Sequence, residues 1–237
     1  MTKETSAFQL CRAAALTGYV ELTRALGLDP LGLAAELGLP VAALSDPDLT
    51  IPVPIVALML EVAAERSGLQ DFGIRLAETR RLSNMGVVGL IAREQPSLRK
   101  SLQVMTQYQW MQNEAIVVHI EETPDIGVVR IDVVGARHVS TQQAIGLTVG
   151  ALCRNVRALM GERWCPEAVC FTYGAPADLA AYRRLFGVMP LFNQEFDGIV
   201  FTRADFDAPI GNADPGMARQ IQFYVDQITL RRTKSAR

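Results

Sequence analysis

Histidine is nearly missing from this chain, with two in 237 residues. Neither His119 nor His138 lies at metal-ligand spacing from a cysteine. No third residue completes a nucleophile, base and orienter set with either of them. The four cysteines, Cys11, Cys153, Cys165 and Cys170, form no Cys-x-x-Cys pair. These absences leave no sequence basis for a metal centre or a redox motif. The expectation is no metal, no cofactor and reduced thiols in a cytoplasmic protein. Charge of one sign is also lacking, since 23 Lys and Arg stand against 25 Asp and Glu. That balance argues against a surface built for nucleic-acid phosphates, short of a local basic patch. No apolar run approaches the roughly 20 residues that span a bilayer. The opening MTKETSAFQLCRAAALTGYV is broken by Arg12 and reads as a domain helix rather than a signal peptide. No membrane partner is expected.

What is present suits a packed core. Hydrophobic residues make up 49% and charged residues 20%, so the chain has apolar matter for one large domain or two small ones. The first 80 residues read as helical. Asp29-Pro30 starts a helix with an acidic N-cap and Pro at the first position. The stretch from Ser45 to Pro54 is a connector. Ile55 to Ser67 is an apolar helix closed by Gly68, and a shorter helix spans Phe72 to Thr79. Pro96 opens a helix that runs to about Asn113. Residues 115–122 and 128–134 alternate in polarity around Thr123-Pro124-Asp125, which is a hairpin. Ser140-x-x-Gln143 has the spacing of a capping box before a long helix to about Met160. Phe171 to Arg203 reads as strand, helix and strand, with Gly187 ending the helix. Asp214-Pro215 starts a last helix with a basic tail. Helices first and strands mixed with helices later give an α+β fold, an N-terminal helical part followed by a small antiparallel sheet flanked by helices. The boundaries fall at 1–80, 81–213 and 214–237.

Few of these segments carry chemistry. Leu33 to Leu44 has the small residue, turn glycine and aliphatic of a helix-turn-helix. Its second helix would begin at Pro40, meet Asp46-Pro47 within two turns and hold no Arg, Lys, Asn or Gln for base edges. Two packed helices are the better reading. The glycines around Gly86 lack the Lys-Ser or Lys-Thr of a phosphate loop. Glu121, Glu122 and Asp125 flank a turn, where solvated charge is the ordinary outcome. The helix around Met105, Tyr108, Gln109 and Gln112 is different. It mixes adaptable apolar groups with side-chain amides, as the wall of a small-molecule pocket does. The last helix carries Met217, Ile221, Tyr224 and Ile228 on one stripe. That stripe serves either a partner or its own domain.

Taken together, a family resemblance emerges. Gly27-Leu28-Asp29-Pro30, Leu39-Pro40, Ile51-Pro52 and Leu60-Glu61-Val62-Ala63 are followed by Leu82-Ser83-Asn84-Met85-Gly86 and Pro96-Ser97-Leu98. Phe171-Thr172, Ala175-Pro176, Tyr182, Phe186-Gly187, Phe192, Phe196-Asp197-Gly198, Val200-Phe201 and Ala213-Asp214-Pro215 close the set. In this order they resemble the N-terminal effector-binding region of AraC/XylS-type transcriptional regulators. The subgroup is the one labelled arabinose-binding domain of AraC, which includes ornithine-utilisation regulators. The resemblance covers almost the whole chain, and no motif in it is catalytic. It implies a non-enzymatic sensor of a small organic effector that forms a homodimer. It implies DNA contact only through a C-terminal region of about a hundred residues with two helix-turn-helix units, which these 237 residues do not include. The family pattern is broken at Tyr173, where a His is frequent.

The expected effector site lies between the helix after Pro96 and the hairpin. Met105, Tyr108, Gln109 and Gln112 would line it, with Arg130, His138 or Gln142 giving polar contacts and Tyr173 tuning specificity. The stripe Met217, Ile221, Tyr224 and Ile228 would serve dimerisation, and its helix would relay the ligand state. Two rivals remain. An enzyme using His138 and a carboxylate predicts a strongly shifted titratable pair in a cleft. A dimerisation module without ligand predicts a sealed core.

Overall fold

Residues 9–134 and 140–235 are described by the computed structural model. His138 and the side chain of Ile228 lie outside the described residues. The first strand, β1 (Leu10–Arg12), pairs antiparallel with β2 (Thr50–Pro52). Between them lie α1 (Tyr19–Ala25) and α2 (Pro30–Glu36). The sequence pattern does not show this two-stranded ribbon, because three-residue strands are too short for a period of two to register. Asp29 caps α2 as expected, accepting from Leu31 N at 3.1 Å. The would-be recognition helix is a single 3-10 turn at Val41–Leu44, so no helix-turn-helix forms there. Next come α3 (Val53–Ser67), which Gly68 ends at φ +71°, and α4 (Phe72–Glu78).

A 3-10 turn at Leu82–Met85 leads into α5 (Val87–Arg93) and α6 (Leu98–Gln107). The α6 helix starts two residues after Pro96, because Ser97 caps it, and a 3-10 turn follows at Gln109–Met111. The hairpin is β3 (Ile116–Glu122) and β4 (Ile126–Val133), in register Val118↔Ile131 and Ile120↔Val129. The long helix α7 (Gln142–Met160) follows. The expected capping box does not form, since Thr141 is the N-cap and has no side-chain bond. The Gln143 amide instead reaches α4, accepting from Gly73 N at 2.8 Å and donating to Gln70 O at 3.0 Å.

The remaining elements are β5 (Ala168–Cys170), α8 (Ala180–Phe186), β6 (Gly198–Thr202), α9 (Arg203–Asp207) and α10 (Pro215–Ser235). The strand expected at Phe171 lies just before it. Phe171 N donates to Leu191 O at 2.8 Å, beside an isolated parallel bridge between Cys170 and Leu191. The main sheet has the order β3-β4-β6-β5 and is antiparallel throughout. Among the described residues the ten α-helices and two small sheets make an α+β fold. No described helix is long and apolar enough to cross a membrane.

One apolar cluster runs from Cys11 to Ile210 and crosses the boundary at residue 80. At its centre α4 lies against α7, where Gly73, Gly146 and Gly150 let the two backbones approach. The sheet packs its Val129 and Ile131 face towards α7 and turns His119, Arg130 and Asp132 outward. A smaller cluster of Val88, Ile91, Val104, Tyr108 and Val225 joins α5 and α6 to α10.

Candidate functional site

A cavity of about 170 Å³ lies between α6, the hairpin and α7. Its apolar wall follows from the element periods. Leu102 and Met105 come from one stripe of α6, Ile116 and Val118 alternate along β3, and Val129 and Ile131 alternate along β4. Leu147, Ala151 and Leu152 face it from α7. Polar groups reach it from several places. Arg12 comes from β1, Arg80 and Arg81 follow α4, Gln109 and Gln112 follow α6, and Thr148 and Asn155 stand on α7. Mostly apolar walls with a few placed polar groups are the ordinary make-up of a ligand site.

The polar groups are held firmly. Arg12 Nη1 donates to Gln112 Oε1 at 2.8 Å and to Asn84 O at 3.0 Å, while its Nη2 meets Asp48 at 2.5 Å. Gln112 Nε2 donates to Met85 O at 3.0 Å. Arg80 is 5% exposed and donates to Ala14 O and Ala15 O at 2.7 and 2.5 Å. Burial alone pushes its guanidinium down to about 10, so it stays charged at neutral pH. Among the described residues no carboxylate forms an ion pair with it. Asn155 is 7% exposed, and its Nδ2 donates weakly to Met85 Sδ at 3.2 Å. Its Oδ1 is buried and has no protein partner among the described residues. A buried acceptor left unpaired is costly unless something else supplies a donor.

The structure brings together three of the residues expected at an effector site, namely Met105, Gln109 and Gln112. It places Tyr108, Arg130, Gln142 and Tyr173 elsewhere, while His138 lies outside the described residues. Tyr108 shares the Val104 stripe rather than the Met105 stripe, and its hydroxyl donates to Asp226 on α10 at 2.7 Å. Arg130 sits on the outer face of β4, beside Glu121 at 3.3 Å and over the Phe196 ring. Gln142 is the first residue of α7 and does not line the cavity. Tyr173 packs among Phe171, Tyr182 and Phe192, and its hydroxyl lies 3.1 Å from that of Tyr182. Burial raises the Tyr173 hydroxyl pKa further than any charge nearby does. It is half-buried against the core and does not line the cavity.

The arginines and Asn155 escaped the sequence reading. Asn155 carried a signal, since it falls at helical spacing from Thr148, Ala151 and Leu152 on the inward stripe of α7. Arg12 also carried one, as the charge that breaks an apolar run. Arg80 carried none, because an arginine after a helix is usually solvated.

On the C-terminal helix, Ile221 and Val225 pack inward on the cluster around Val88 and Ile91. Met217 and Tyr224 are 51% and 63% exposed. The Tyr108–Asp226 bond therefore clips α10 to the body of the domain. Tyr108→Phe is expected to loosen α10 by about 1 kcal/mol. Faster amide hydrogen exchange in α10, with α7 unchanged, is the measured sign.

A second hollow of about 510 Å³ lies between the β1–β2 ribbon and α10, with Arg12, Trp110, Glu114 and Val225 in its wall. It is larger, but among the described residues no buried polar atom without a partner faces it. The cavity under α7 is the better-built site for that reason. Among the described residues no group of three His, Cys, Asp or Glu could hold a metal ion.

Comparison with known proteins gives a consistent result. A family model described as the arabinose-binding domain of AraC transcription regulator, N-terminal, matches residues 27–210. The HTH-type transcriptional regulator VirS of Mycobacterium tuberculosis, in two strains, is 27% identical over 219 residues. That match covers 92% of this chain and 64% of VirS. The crystal structure of the transcriptional regulator CdpR from Pseudomonas aeruginosa has a TM-score of 0.52 at 18% identity. It covers 80% of this chain and 57% of the CdpR chain, a likeness that concerns the fold alone.

Proposed function

The chain belongs to the family of the arabinose-binding N-terminal domain of AraC transcription regulators, and from that premise we propose that it senses a small organic effector in the cavity under α7. The observation that carries this reading is the cavity itself, with an apolar wall and buried polar groups that converge on it. A module without ligand would be sealed at that place. An enzyme would need a nucleophile or an acid–base pair, and among the described residues the lining holds no His, Cys, Asp or Glu.

The signal would leave through Met85. Its side chain belongs to both apolar clusters, its sulfur meets Asn155, and its carbonyl meets Gln112. It ends the 3-10 turn that leads into α5, and α5 is the seat of α10. A ligand that moves Asn155 or Gln112 thereby changes how α10 sits, provided it binds the two arrangements unequally. A DNA-binding helix-turn-helix region attached beyond α10 would read that change. Ile221→Glu breaks this seat. If it leaves the response of α10 to ligand unaltered, the relay is wrong.

Thermal denaturation with sugars, amino acids, aromatic acids and fatty acids tests the sensing role. A ligand at about a hundred times its dissociation constant adds roughly 2.7 kcal/mol. For a domain of this size that raises Tm by roughly 5–10 °C. Ala151→Phe fills the cavity and should abolish the rise. No rise with any class of compound contradicts the sensor role.

A second reading adds self-association. Met217 and Tyr224 are exposed at one flank of α10, seven residues apart and so on one side of the helix. A homodimer through this flank predicts that Tyr224→Glu yields monomers in sedimentation. A wild-type chain that sediments as a monomer at high concentration rules it out.

A further inference from the structure

The charges around the cavity are one-sided. Arg12, Arg80 and Arg81 line it, and among the described residues no aspartate or glutamate does. Arg12 is neutralised from outside by Asp48. Arg80 is the most buried of the three and has carbonyl partners only. A guanidinium carries five N–H donors, and the two named bonds account for two of them. A charge held out of water without a counter-charge is costly, and a planar fork of donors fits a carboxylate best. Across the same cavity Asn155 Oδ1 is an acceptor that lacks a donor. The volume of about 170 Å³ is close to the ~150 Å³ of a cavity that accepts a benzene ring. The remaining wall, from Leu102, Met105, Val129 and Leu147, is apolar.

We infer that the effector is a small hydroxylated carboxylic acid of ring or six-carbon size, with its carboxylate against Arg80 and its hydroxyl donating to Asn155 Oδ1. The inference rests on the cavity being the sensor site. A neutral sugar would leave the Arg80 charge uncompensated and place hydroxyls against an apolar wall. An amino acid would bring an ammonium to a lining that, among the described residues, has three arginines and no acid. A hydroxy acid answers the surplus donors and the one unmet acceptor together.

Calorimetric titration of the chain with 6-hydroxyhexanoate and mandelate, each beside its primary amide, tests this. The amide has the same shape and lacks the charge. The acids are expected to bind at least about tenfold more tightly than their amides, as a charged hydrogen bond implies. Hexanoate is expected to bind several-fold more weakly than 6-hydroxyhexanoate, and Asn155→Leu to erase that difference. Arg80→Met should bring acid and amide to equal affinity. Because Arg80 also holds the Ala14 and Ala15 carbonyls, that variant can lose its fold, and the comparison of acid with amide on the unaltered chain then stands by itself. Equal binding of acid and amide, or binding of L-arabinose in place of either acid, overturns the carboxylate inference and leaves the sensor role intact. Binding by no acid, amide, sugar or amino acid overturns both.

Discussion

Gly73→Ala is expected to destabilise the domain by about 3 kcal/mol or more, at the upper end of what overpacking does. A Cβ at Gly73 would sit 2.1 Å from the backbone oxygen of Gln143 and 2.9 Å from its carbonyl carbon. Backbone cannot rotate aside as a side chain does, so α4 and α7 must move apart. Their separation would cost more than one contact. Gln143 Oε1 accepts from Gly73 N, and Gln143 N donates to Glu61 on α3 at 2.9 Å. Farther along α7, a Cβ at Gly150 would meet Ala77 at 2.5 Å, so the same close approach is used twice. Chemical denaturation would show a lower midpoint with the slope retained. A stability within about 1 kcal/mol of the unaltered chain would mean that the helices are not packed this closely.

Arg157→Met is expected to cost about 3–5 kcal/mol, since removal of a buried charged donor leaves its acceptors unpaired. Arg157 is buried on α7 and donates to Trp164 O at 3.1 Å, Leu185 O at 2.8 Å and Phe186 O at 3.2 Å. Two of those carbonyls end α8, where the helix leaves its last acceptors free and favours a cation. The arginine therefore does for α8 what the following residues cannot, because Gly187 turns the chain at φ +77°. Methionine fills most of the same space, so the loss reports the hydrogen bonds rather than a cavity. Arg157→Lys keeps the charge but not the fork, and should recover only part of the loss. Equal stability of the methionine variant would show that these carbonyls find other donors.

How much of this was legible beforehand depends on the kind of signal. Helix ends were readable where a cap and a glycine mark them, as at Asp29 and Gly187. The hairpin was readable because β3 and β4 alternate for seven residues or more. The three-residue strands β1, β2 and β5 were not, since pairing across 40 residues leaves no local pattern. The site was half readable. Met105 stands on α6 and Gln109 and Gln112 in and just after the 3-10 turn that follows it, and their mixture of types pointed to a wall. Tyr108 belongs to the neighbouring stripe, and one step in helical phase moved it from the cavity to α10. Arg12 and Arg80 reach the cavity from elements 68 residues apart in sequence, a juxtaposition that only the tertiary fold creates. Tyr173 looked like a specificity residue from its break with the family pattern. Its ring is part of the aromatic packing between Phe171, Tyr182 and Phe192.

Methyl NMR of the methionines tests the effector site most directly. Met85 and Met105 line the cavity, whereas Met59 lies buried elsewhere and Met189 is exposed. On addition of a compound that raises Tm, the Met85 and Met105 methyl signals should shift while those of Met59 and Met189 stay in place. Shifts at Met189 or Met59, with Met85 and Met105 unmoved, would put the ligand elsewhere and contradict the assignment of the cavity.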